Sequence, residues 1–378
     1  MKIDYFLDKM EDLGIDFYSG VPDSQLKALG DTLYSRYGVG EKHVIAANEG
    51  GAAALAAGHY LATGHPALVY LQNSGIGNIV NPVTSLLNQK VYAIPCVFVV
   101  GWRGEPGIKD EPQHAFQGEI TVSMMELLGI KSFVLSSETS EGALDSFLSE
   151  NKQYFSEGNS ISIIVQKDAL TGGEKPSYKN DFSFTREEAL TMIFQESEAK
   201  DFFVSTTGKT SREVFEIRES LHQKHDSDFL TVGSMGHASM IAMGIAMSNP
   251  SARVWCLDGD GAAVMHMGHT PIIANHEGPF IHVLFNNYAY ESVGGQPVGK
   301  SNINFCEIFS SCGYQKCIRV TNEKELKSAI EEAKKYNGVM ALEIMVSIYS
   351  RDDLGRPTTT PIENKNAFMK KMKERKGI

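Results

Sequence analysis

Short apolar runs alternate with helix-like stretches along nearly the whole chain of 378 residues. The runs typical of buried strands are 44–47, 67–71, 97–100, 161–165, 202–205, 253–257, 280–285 and 339–346. Turns rich in glycine or asparagine follow several of them, and helical patterns such as 51–60 lie between them. Strands that alternate with helices form parallel sheets covered on both faces, so the sequence predicts an α/β fold.

The alternation is interrupted once, by a polar, turn-rich stretch from Thr171 to Asn180. Thr185 and Glu188 then form the pattern of a capping box that starts a new helix. We therefore expect two doubly wound parallel-sheet domains, residues 1–170 and 185–378, joined by a linker at 171–184. There is no short internal repeat and no low-complexity tract.

Composition and charge exclude several classes of protein. A hydrophobic share of 42% is enough for a large core, whereas a net charge of −11 argues against binding to a nucleic-acid backbone. The first residues mix charges with apolar side chains, which indicates an amphipathic helix and not a signal peptide. The longest apolar stretch, 91–100, contains Pro95 and is shorter than the roughly 20 residues that span a bilayer. We expect a cytoplasmic protein that binds neither nucleic acid nor membranes.

The five cysteines form no C-x-x-C pair, although Cys306, Cys312 and Cys317 lie fairly close together. This spacing indicates neither a zinc site nor a disulfide framework, and a set of reduced thiols is expected.

Two polar motifs follow neighbouring apolar runs in the second half. The run 253–257 leads into Asp258-Gly259-Asp260-Gly261-Ala262, and the run 280–285 leads into Asn286-Asn287-Tyr288-Ala289. An Asp-Gly pair alone is a common turn. If the two strands are neighbours, however, a carboxylate and an amide oxygen meet at one edge of the sheet, where they suit a hard cation such as Mg²⁺.

This pair of motifs resembles the diphosphate-binding motif of thiamine diphosphate enzymes. The resemblance implies the cofactor thiamine diphosphate, with Mg²⁺ held by Asp260, Asn287 and the carbonyl of Ala289. It also implies two domains of the types that bind the pyrimidine (PYR) and the diphosphate (PP). The residues implied to contact the cofactor are Thr207, Gly208, Gly233, Ser234, Met235, Gly259, Asp260, Gly261, Ala262 and Asn287.

Two of these segments allow other interpretations. Met235 resembles the apolar wedge that keeps the cofactor bent, but by itself it is more typical of a core residue. Gly208-Lys209-Thr210 could end a P-loop and so mark a nucleotide-binding protein. That pattern requires glycine at position 203, where Phe203 stands.

Glu49 begins the helical pattern after the run 44–47. A glutamate in a first helical turn also simply suits the helix dipole. By resemblance, Glu49 is the carboxyl that activates the cofactor, and it reaches a cofactor held by another subunit. A homodimer or larger assembly with active sites at the subunit interface is therefore implied, and the small residues 50–54 would allow close packing there.

Three polar loops in the first half, 20–24, 72–75 and 110–114, complete the resemblance to the phosphonopyruvate decarboxylase family, with the sulfopyruvate decarboxylases as near kin. The segment 350–357 fits the same family. Larger decarboxylases of this class insert a third domain between the two halves, and this chain has only a short linker. The expected substrate-binding residues are Ser24, Asn73, Ser74, Arg103, His114 and Arg351.

The resemblance implies decarboxylation of 3-phosphonopyruvate to phosphonoacetaldehyde and CO₂ in phosphonate biosynthesis. Glu49 and His114 are the expected catalytic residues, and His114 is a natural acid or base because its ordinary pKa is near 6.5. Sulfopyruvate or another 2-oxoacid is the alternative substrate. The net charge of the chain is −11, so a trianionic substrate needs cations gathered locally around it. The candidates are Arg103, Lys109, Arg351 and Arg356, since the arginine fork matches phosphonate oxygens.

Overall fold

The computed structural model describes residues 1–299 and 303–376, which fall into two compact units. Unit 1 contains Met1–Ser177 and a short segment that begins at Val293; unit 2 contains Tyr178–Ser292 and the described residues from 303 onward. The sequence-based domain of residues 185–378 did not anticipate the segment after Val293, and its end at residue 378 lies outside the described residues.

Unit 1 is built around a parallel sheet of six described strands in the order β2-β1-β3-β4-β6-β5. These are β1 Tyr18–Gly20, β2 His43–Ile45, β3 Ala67–Gln72, β4 Cys96–Gly101, β5 Lys131–Leu135 and β6 Ile161–Val165. The helices are α1 Ile3–Asp12, α2 Lys27–Tyr37, α3 Glu49–Thr63, α4 Ile76–Pro82, α5 Pro112–Leu127, α6 Glu141–Glu150 and α7 Lys152–Ser156.

Unit 2 has a second parallel sheet of six described strands, in the order β8-β7-β9-β10-β12-β11. Its strands are β7 Asp201–Ser205, β8 Asp228–Leu230, β9 Arg253–Gly259, β10 Phe280–Asn286, β11 Lys316–Val320 and β12 Val339–Met345. Its helices are α8 Arg186–Gln195, α9 Lys209–Ser220, α10 Ala238–Ser248, α11 Asp260–Met265, α12 Thr270–Ile273, α13 Phe305–Ser311, α14 Glu323–Ala333 and α15 Pro361–Lys376. Numbered within its own unit, each sheet therefore has the strand order 2-1-3-4-6-5.

Each sheet carries a hydrophobic core on both faces. In β3, Leu68 and Tyr70 belong to one core of unit 1, and Val69 and Leu71 belong to the other. The strands of unit 2 divide between two cores in the same alternating way. Strands buried on both faces read as continuous apolar runs. The expected fold class, two doubly wound parallel-sheet domains without a third central domain, is thus confirmed for the described residues.

Two local predictions are also confirmed. Helix α1 is amphipathic and buries Ile3, Phe6, Leu7 and Met10. Helix α8 starts with the expected capping box, in which the Thr185 side chain accepts from the Glu188 amide and the Glu188 carboxylate accepts from the Thr185 amide. None of the described helices combines the length and the apolar character that crossing a membrane would require.

The expectation of five reduced cysteines is wrong at two positions. Cys306 and Cys317 form a disulfide, with their Cα atoms 5.4 Å apart. Cys306 lies in α13 and Cys317 in β11, and the chain reverses between them at Gly313, which has a φ of +104°. This reversal brings together two residues that the linear spacing does not mark as a pair. Cys96, Cys256 and Cys312 are free thiols.

A buried ion pair ties the edge strand β8 to α9. The Arg218 guanidinium donates to both carboxylate oxygens of Asp228, at 2.8 and 2.7 Å, and both side chains are almost fully buried. We expect Arg218→Met to destabilise the protein by about 3–5 kcal/mol, because Asp228 would be left as a buried, unpaired charge. The midpoint of urea unfolding measures this loss. Arg36→Met, which removes the cation of the largely exposed pair with Asp4, should move the midpoint little, and equal shifts would contradict the prediction.

Candidate active site

Four segments of the chain leave the same edge of the unit 2 sheet, since its strands are parallel. They come from four strands that are adjacent in the sheet. In sheet order, Gly233–Met235 follow β8, Thr207 and Gly208 follow β7, Gly259–Ala262 end β9 and begin α11, and Asn287 and Ala289 follow β10. The carboxyl edge of a parallel sheet is the usual position of a ligand site. The structure therefore brings every predicted cofactor-contacting segment of unit 2 to one edge.

Asp260 and Asn287 lie next to each other at the ends of β9 and β10. One carboxylate oxygen of Asp260 accepts from the backbone amide of Asn287 at 3.1 Å, and the other accepts from the backbone amide of Gly261 at 2.7 Å. Burial raises the pKa of Asp260 to about 7, because the loss of hydration of the charged carboxylate outweighs the backbone hydrogen bonds that it accepts. The side-chain oxygen of Asn287 accepts from the Ala289 backbone amide at 2.9 Å. Carboxylate and amide oxygens such as these are ligands that a hard cation takes. These residues fit the predicted cation.

The turn that carries Asn287 is held by three side chains. The Asn286 side chain donates to the buried Glu343 at 2.8 Å and accepts from the Tyr288 amide at 3.2 Å. Tyr288 has a φ of +59°, a conformation that non-glycine residues rarely adopt. Asn180 donates to the carbonyl of Asn287 at 3.1 Å. Sequence reasoning missed Asn180 and Glu343, since nothing in their local sequence connects them with this turn.

The segments after β7 and β8 are joined to each other. The Thr207 hydroxyl donates to the carbonyl of Val232 at 2.8 Å. Gly208 and Ser234 both have positive φ, +91° and +53°, so each segment contains a sharp backbone turn. Met235 is half-buried next to Ser234 and is not part of a hydrophobic core among the described residues. This position is compatible with an apolar contact to a ligand.

The P-loop interpretation of Gly208–Thr210 finds no support. Phe203 lies inside β7, where it is buried in the core of unit 2, so no glycine-rich loop precedes Gly208. Lys209 instead pairs with Glu291 at 2.9 Å and donates to Ser350.

Glu49 is the first residue of α3 in unit 1. Asn48 caps the helix by accepting from the Gly51 amide at 2.9 Å. The Glu49 side chain is buried, and one of its oxygens accepts from the Asn78 side chain at 2.6 Å. A Cβ at Gly75 would overlap the other carboxylate oxygen, so only glycine leaves room for this carboxylate. Asn78 and Gly75 position Glu49, and sequence reasoning assigned a role to neither.

Four predicted substrate residues of unit 1, together with Asp110, form a polar cluster at the ends of β1, β3 and β4. The Arg103 guanidinium donates to Asp110 at 2.8 and 2.5 Å and to the Ser24 hydroxyl at 3.3 Å. Asn73 is fully buried, and its side chain makes two hydrogen bonds with the backbone of Arg103. It accepts from the Arg103 amide at 3.2 Å and donates to the Arg103 carbonyl at 2.7 Å. Ser74 is exposed and donates to Gln72 at 2.7 Å. Asn73 thus fixes Arg103, while Ser24 and Ser74 are the more accessible groups.

His114 lies in the first turn of α5 and not in a loop as the sequence suggested. Pro112 at the start of the helix explains the difference, because proline is favoured in a first helical turn. Burial, and then the nearby charge of Arg103, lower the pKa of His114, so that the neutral imidazole is favoured. Its Nδ1 is buried and has no hydrogen-bond partner among the described residues. An orphaned ring nitrogen of this kind is available to a ligand.

Asp23 and Asp110 are acidic members of the same cluster that sequence reasoning did not single out, although both lie in the flagged loops. Asp23 accepts from Gln72 at 2.6 Å, and burial raises its pKa. Asp110 is partly buried, but hydrogen bonds, chiefly from Arg103, hold its pKa below the usual range. The positive charge of Arg103 is therefore already balanced by Asp110.

Arg351 belongs to unit 2, whereas the other predicted substrate residues belong to unit 1. Its guanidinium pairs with Glu187 at 2.9 Å, with Asp353 at 3.0 Å and with Glu216. Three carboxylates surround this one cation. An anionic substrate at this position would have to displace some of them.

The chain matches both halves of one enzyme class. Residues 3–126 match the family described as thiamine pyrophosphate enzyme, N-terminal TPP binding domain, and residues 206–344 match the corresponding C-terminal TPP binding domain. Together with the two six-stranded sheets and the segments collected at the edge of unit 2, these matches define a thiamine diphosphate (thiamine pyrophosphate) enzyme.

Full-length relatives narrow the class. A phosphonopyruvate decarboxylase from Streptomyces viridochromogenes is 30% identical over 94% of this chain and 91% of its own length. Another from Streptomyces hygroscopicus is 31% identical over 94% and 90%. The sulfopyruvate decarboxylase subunit beta of Methanococcus maripaludis is 28% identical over half of this chain and 98% of its own length. The chain belongs to the phosphonopyruvate decarboxylase family and is a carboxy-lyase that uses thiamine diphosphate.

Proposed function

We propose that this enzyme converts 3-phosphonopyruvate to phosphonoacetaldehyde and CO₂, and that it does so in phosphonate biosynthesis. The observation that carries the proposal is the similarity to two phosphonopyruvate decarboxylases along 94% of the chain, across both units. The sulfopyruvate decarboxylase subunit matches only 50% of it. Similarity along 94% of the chain to proteins named phosphonopyruvate decarboxylase favours the phosphonate as substrate. A cytoplasmic location stays a prediction.

The residues of unit 2 would hold the cofactor and its cation. Asp260, Asn287 and the carbonyl of Ala289 would bind Mg²⁺, which takes oxygen ligands and dehydrates reluctantly. When bound, thiamine diphosphate supplies the electron sink for the electrons released as CO₂ leaves. The residues proposed to contact the cofactor itself are Thr207, Gly208, Gly233, Ser234, Met235, Gly259, Gly261 and Ala262.

Two side chains of unit 1 would hold or move protons. Glu49 would hydrogen-bond the cofactor's pyrimidine ring, and its rigid contacts with Asn78 and Gly75 fix the direction of its carboxyl. His114 would return a proton to the reacting carbon, or help to release the aldehyde. Its lowered pKa means that it takes up a proton readily only below its ordinary range.

The Arg103 cluster would bind the anionic end of the substrate. Arginine matches phosphonate oxygens with its planar fork, and Asn73 holds the backbone of Arg103 in place. Since Asp110 balances its charge in the structure, a phosphonate would have to compete with this carboxylate for the guanidinium. Ser24 and Ser74 would add neutral hydrogen bonds. Arg351 remains a proposed second cation, subject to the same competition from its carboxylates.

A homodimer or larger assembly is proposed because Glu49 would act on a cofactor held by another subunit. Helix α3, which begins at Glu49, exposes a stripe of small and apolar residues. The exposed positions are Gly51, Ala54, Leu55, Gly58, Leu61 and Ala62. Small residues allow two helices to pack closely, so this stripe is the proposed subunit contact.

The substrate assignment is tested by comparing kcat/KM for phosphonopyruvate, sulfopyruvate and pyruvate. We expect phosphonopyruvate to be preferred, and Arg103→Gln to reduce that preference over pyruvate by on the order of 10- to 100-fold, the value of one charged hydrogen bond. Arg36→Gln, at an exposed ion pair of the same unit, is the matched control and should leave the preference unchanged. A preference for sulfopyruvate or pyruvate in the unmodified enzyme would overturn the assignment.

A further inference from the structure

Neighbouring strands β9 and β10 bring together three buried side chains that the cofactor site does not use. They are Cys256, Asp258 and His282, and their ligand atoms all lie within 4.8 Å of one another. Cys256 and His282 are direct partners in the parallel register, and Asp258 lies two residues further along β9 on the same face. A thiol, a carboxylate and an imidazole therefore converge on one point inside unit 2.

The atoms that face this point lack hydrogen-bond partners. Asp258 Oδ2 and His282 Nε2 are buried without a partner among the described residues. They are 3.5 Å apart, which is long for an N–H···O hydrogen bond. The other polar atom of each of these two side chains has a hydrogen-bond partner. Asp258 Oδ1 accepts from the Gly259 amide at 2.9 Å, and His282 Nδ1 is 2.9 Å from the Tyr314 hydroxyl. Only the inward-facing atoms are left without a partner.

The surroundings of the cluster are apolar. The ring of Phe309 stacks on His282 with centroids 5.1 Å apart, and Phe280 and Leu284 belong to the same core. Unpaired polar atoms are costly in such a place, since burying a polar group without a partner loses several kcal/mol of hydration. A cation bound between the three side chains would remove this cost.

We propose that Cys256, Asp258 and His282 form a Zn²⁺ site with three protein ligands, in which a water molecule would take the fourth position. Zinc takes thiolate, imidazole and carboxylate ligands in tetrahedral geometry. Two ligand atoms at about 2.0–2.1 Å from zinc are about 3.3–3.4 Å apart in that geometry, close to the separation of Asp258 Oδ2 and His282 Nε2. With the Cys256 proton released to water on binding, a thiolate and a carboxylate balance the two charges of the ion.

The second coordination sphere supports this assignment. A metal-bound histidine usually has its other ring nitrogen in a hydrogen bond that fixes the orientation of the ring, and Tyr314 supplies that contact here. The site is distinct from the proposed Mg²⁺ site, which has oxygen ligands alone and begins two residues later, at Asp260. A Zn²⁺ ion here would link β9 to β10 near the strand ends that are followed by Asp260 and Asn287.

The metal content of the purified full-length protein tests the proposal. After dialysis against a buffer with trace Zn²⁺, we expect one zinc per chain, and Asp260→Asn should retain it. Cys256→Ser and His282→Gln should each lose most of the metal. The matched controls are Cys96→Ser, at another buried free cysteine, and Cys312→Ser. Retention of zinc by Cys256→Ser or its loss from Cys96→Ser would overturn the proposal.

A spectroscopic test on the unmodified protein does not depend on whether a variant folds. Replacement of zinc by Co²⁺ in the unmodified protein should produce the near-ultraviolet charge-transfer band of a cobalt–thiolate bond, without added thiamine diphosphate or Mg²⁺. The sample is kept under inert gas and without reducing agent, because a reductant would open the Cys306–Cys317 disulfide and free two further thiols that could bind Co²⁺. Folded protein that binds no zinc and gives no such band would refute the site.

Discussion

Replacing Glu49 with glutamine should abolish turnover while leaving cofactor binding intact. The amide has the size of the carboxyl and its oxygen can still accept from Asn78, so the buried position should remain filled. It cannot, however, exchange a proton with the cofactor. Removing a positioned acid or base typically costs about 10²–10⁴ in rate, and we expect kcat to fall by at least that much. Steady-state kinetics on phosphonopyruvate measures it.

Two observations complete the Glu49 experiment. The thermal shift produced by thiamine diphosphate with Mg²⁺ should persist in the variant, which separates loss of chemistry from loss of binding. Glu41→Gln changes an exposed glutamate of the same unit and should keep normal activity. Near-normal turnover by Glu49→Gln would eliminate the proposed role.

Asp260→Asn should lose the cofactor altogether. The substitution keeps the shape of the side chain but removes the buried negative charge that would bind the cation. At a ligand concentration of 100 Kd, binding stabilises a protein by about 2.7 kcal/mol, so the loss should be visible as a missing thermal shift. The exposed Asp352→Asn is the matched control. A full shift in Asp260→Asn would show that the cation lies elsewhere.

Proton competition gives the same site a pH dependence. Burial raises the pKa of Asp260 to about 7 in the absence of a cation, and Mg²⁺ binds only the ionised carboxyl. In the unmodified protein, the Mg²⁺-dependent shift should therefore weaken as the pH falls below about 7. A constant shift from pH 8 to about pH 5 would contradict this reasoning.

A mixture of the Glu49→Gln and Asp260→Asn variants tests whether each active site is shared between two subunits. If Glu49 acts on a cofactor held by another subunit, a mixed dimer of Glu49→Gln and Asp260→Asn chains contains one site in which both residues are intact. Unfolding and refolding the two variants together should therefore restore part of the activity. If the two residues serve one site within a single chain, every site in the mixture stays defective.

The sequence predicts the strands that are long and buried on both faces. Continuous apolar runs mark β3, β4, β6, β7, β9, β10 and β12 within a residue or two, and the run 44–47 likewise marks the short edge strand β2. It misses β5, β8 and β11, which lie at sheet edges and carry polar or partly exposed residues, and it misses β1, which has only three residues. These four strands are too polar or too short for a local pattern to mark them, and their neighbours in space define them.

The sequence likewise predicts some residues of the candidate site and misses others. Asp260 and Asn287 can be found because each follows an apolar strand, and parallel strands end at one edge. Asn180 and Glu343 reach the Asn287 turn from distant parts of the chain, and no local signal marks them. The pairing of Arg103 with Asp110 is likewise a property of the folded chain, since a sequence shows which side chains are charged but not which are already neutralised.

The shared strand order of the two sheets gives both units the same layout of strand ends, although the sequence contains no short internal repeat. Corresponding strands still carry the polar chemistry: the third and fourth strands end at the Asn73–Arg103 contact in unit 1 and at the Asp260–Asn287 contact in unit 2. The same position of the fold therefore carries a polar contact in both units, one proposed for the substrate and one proposed for the cofactor.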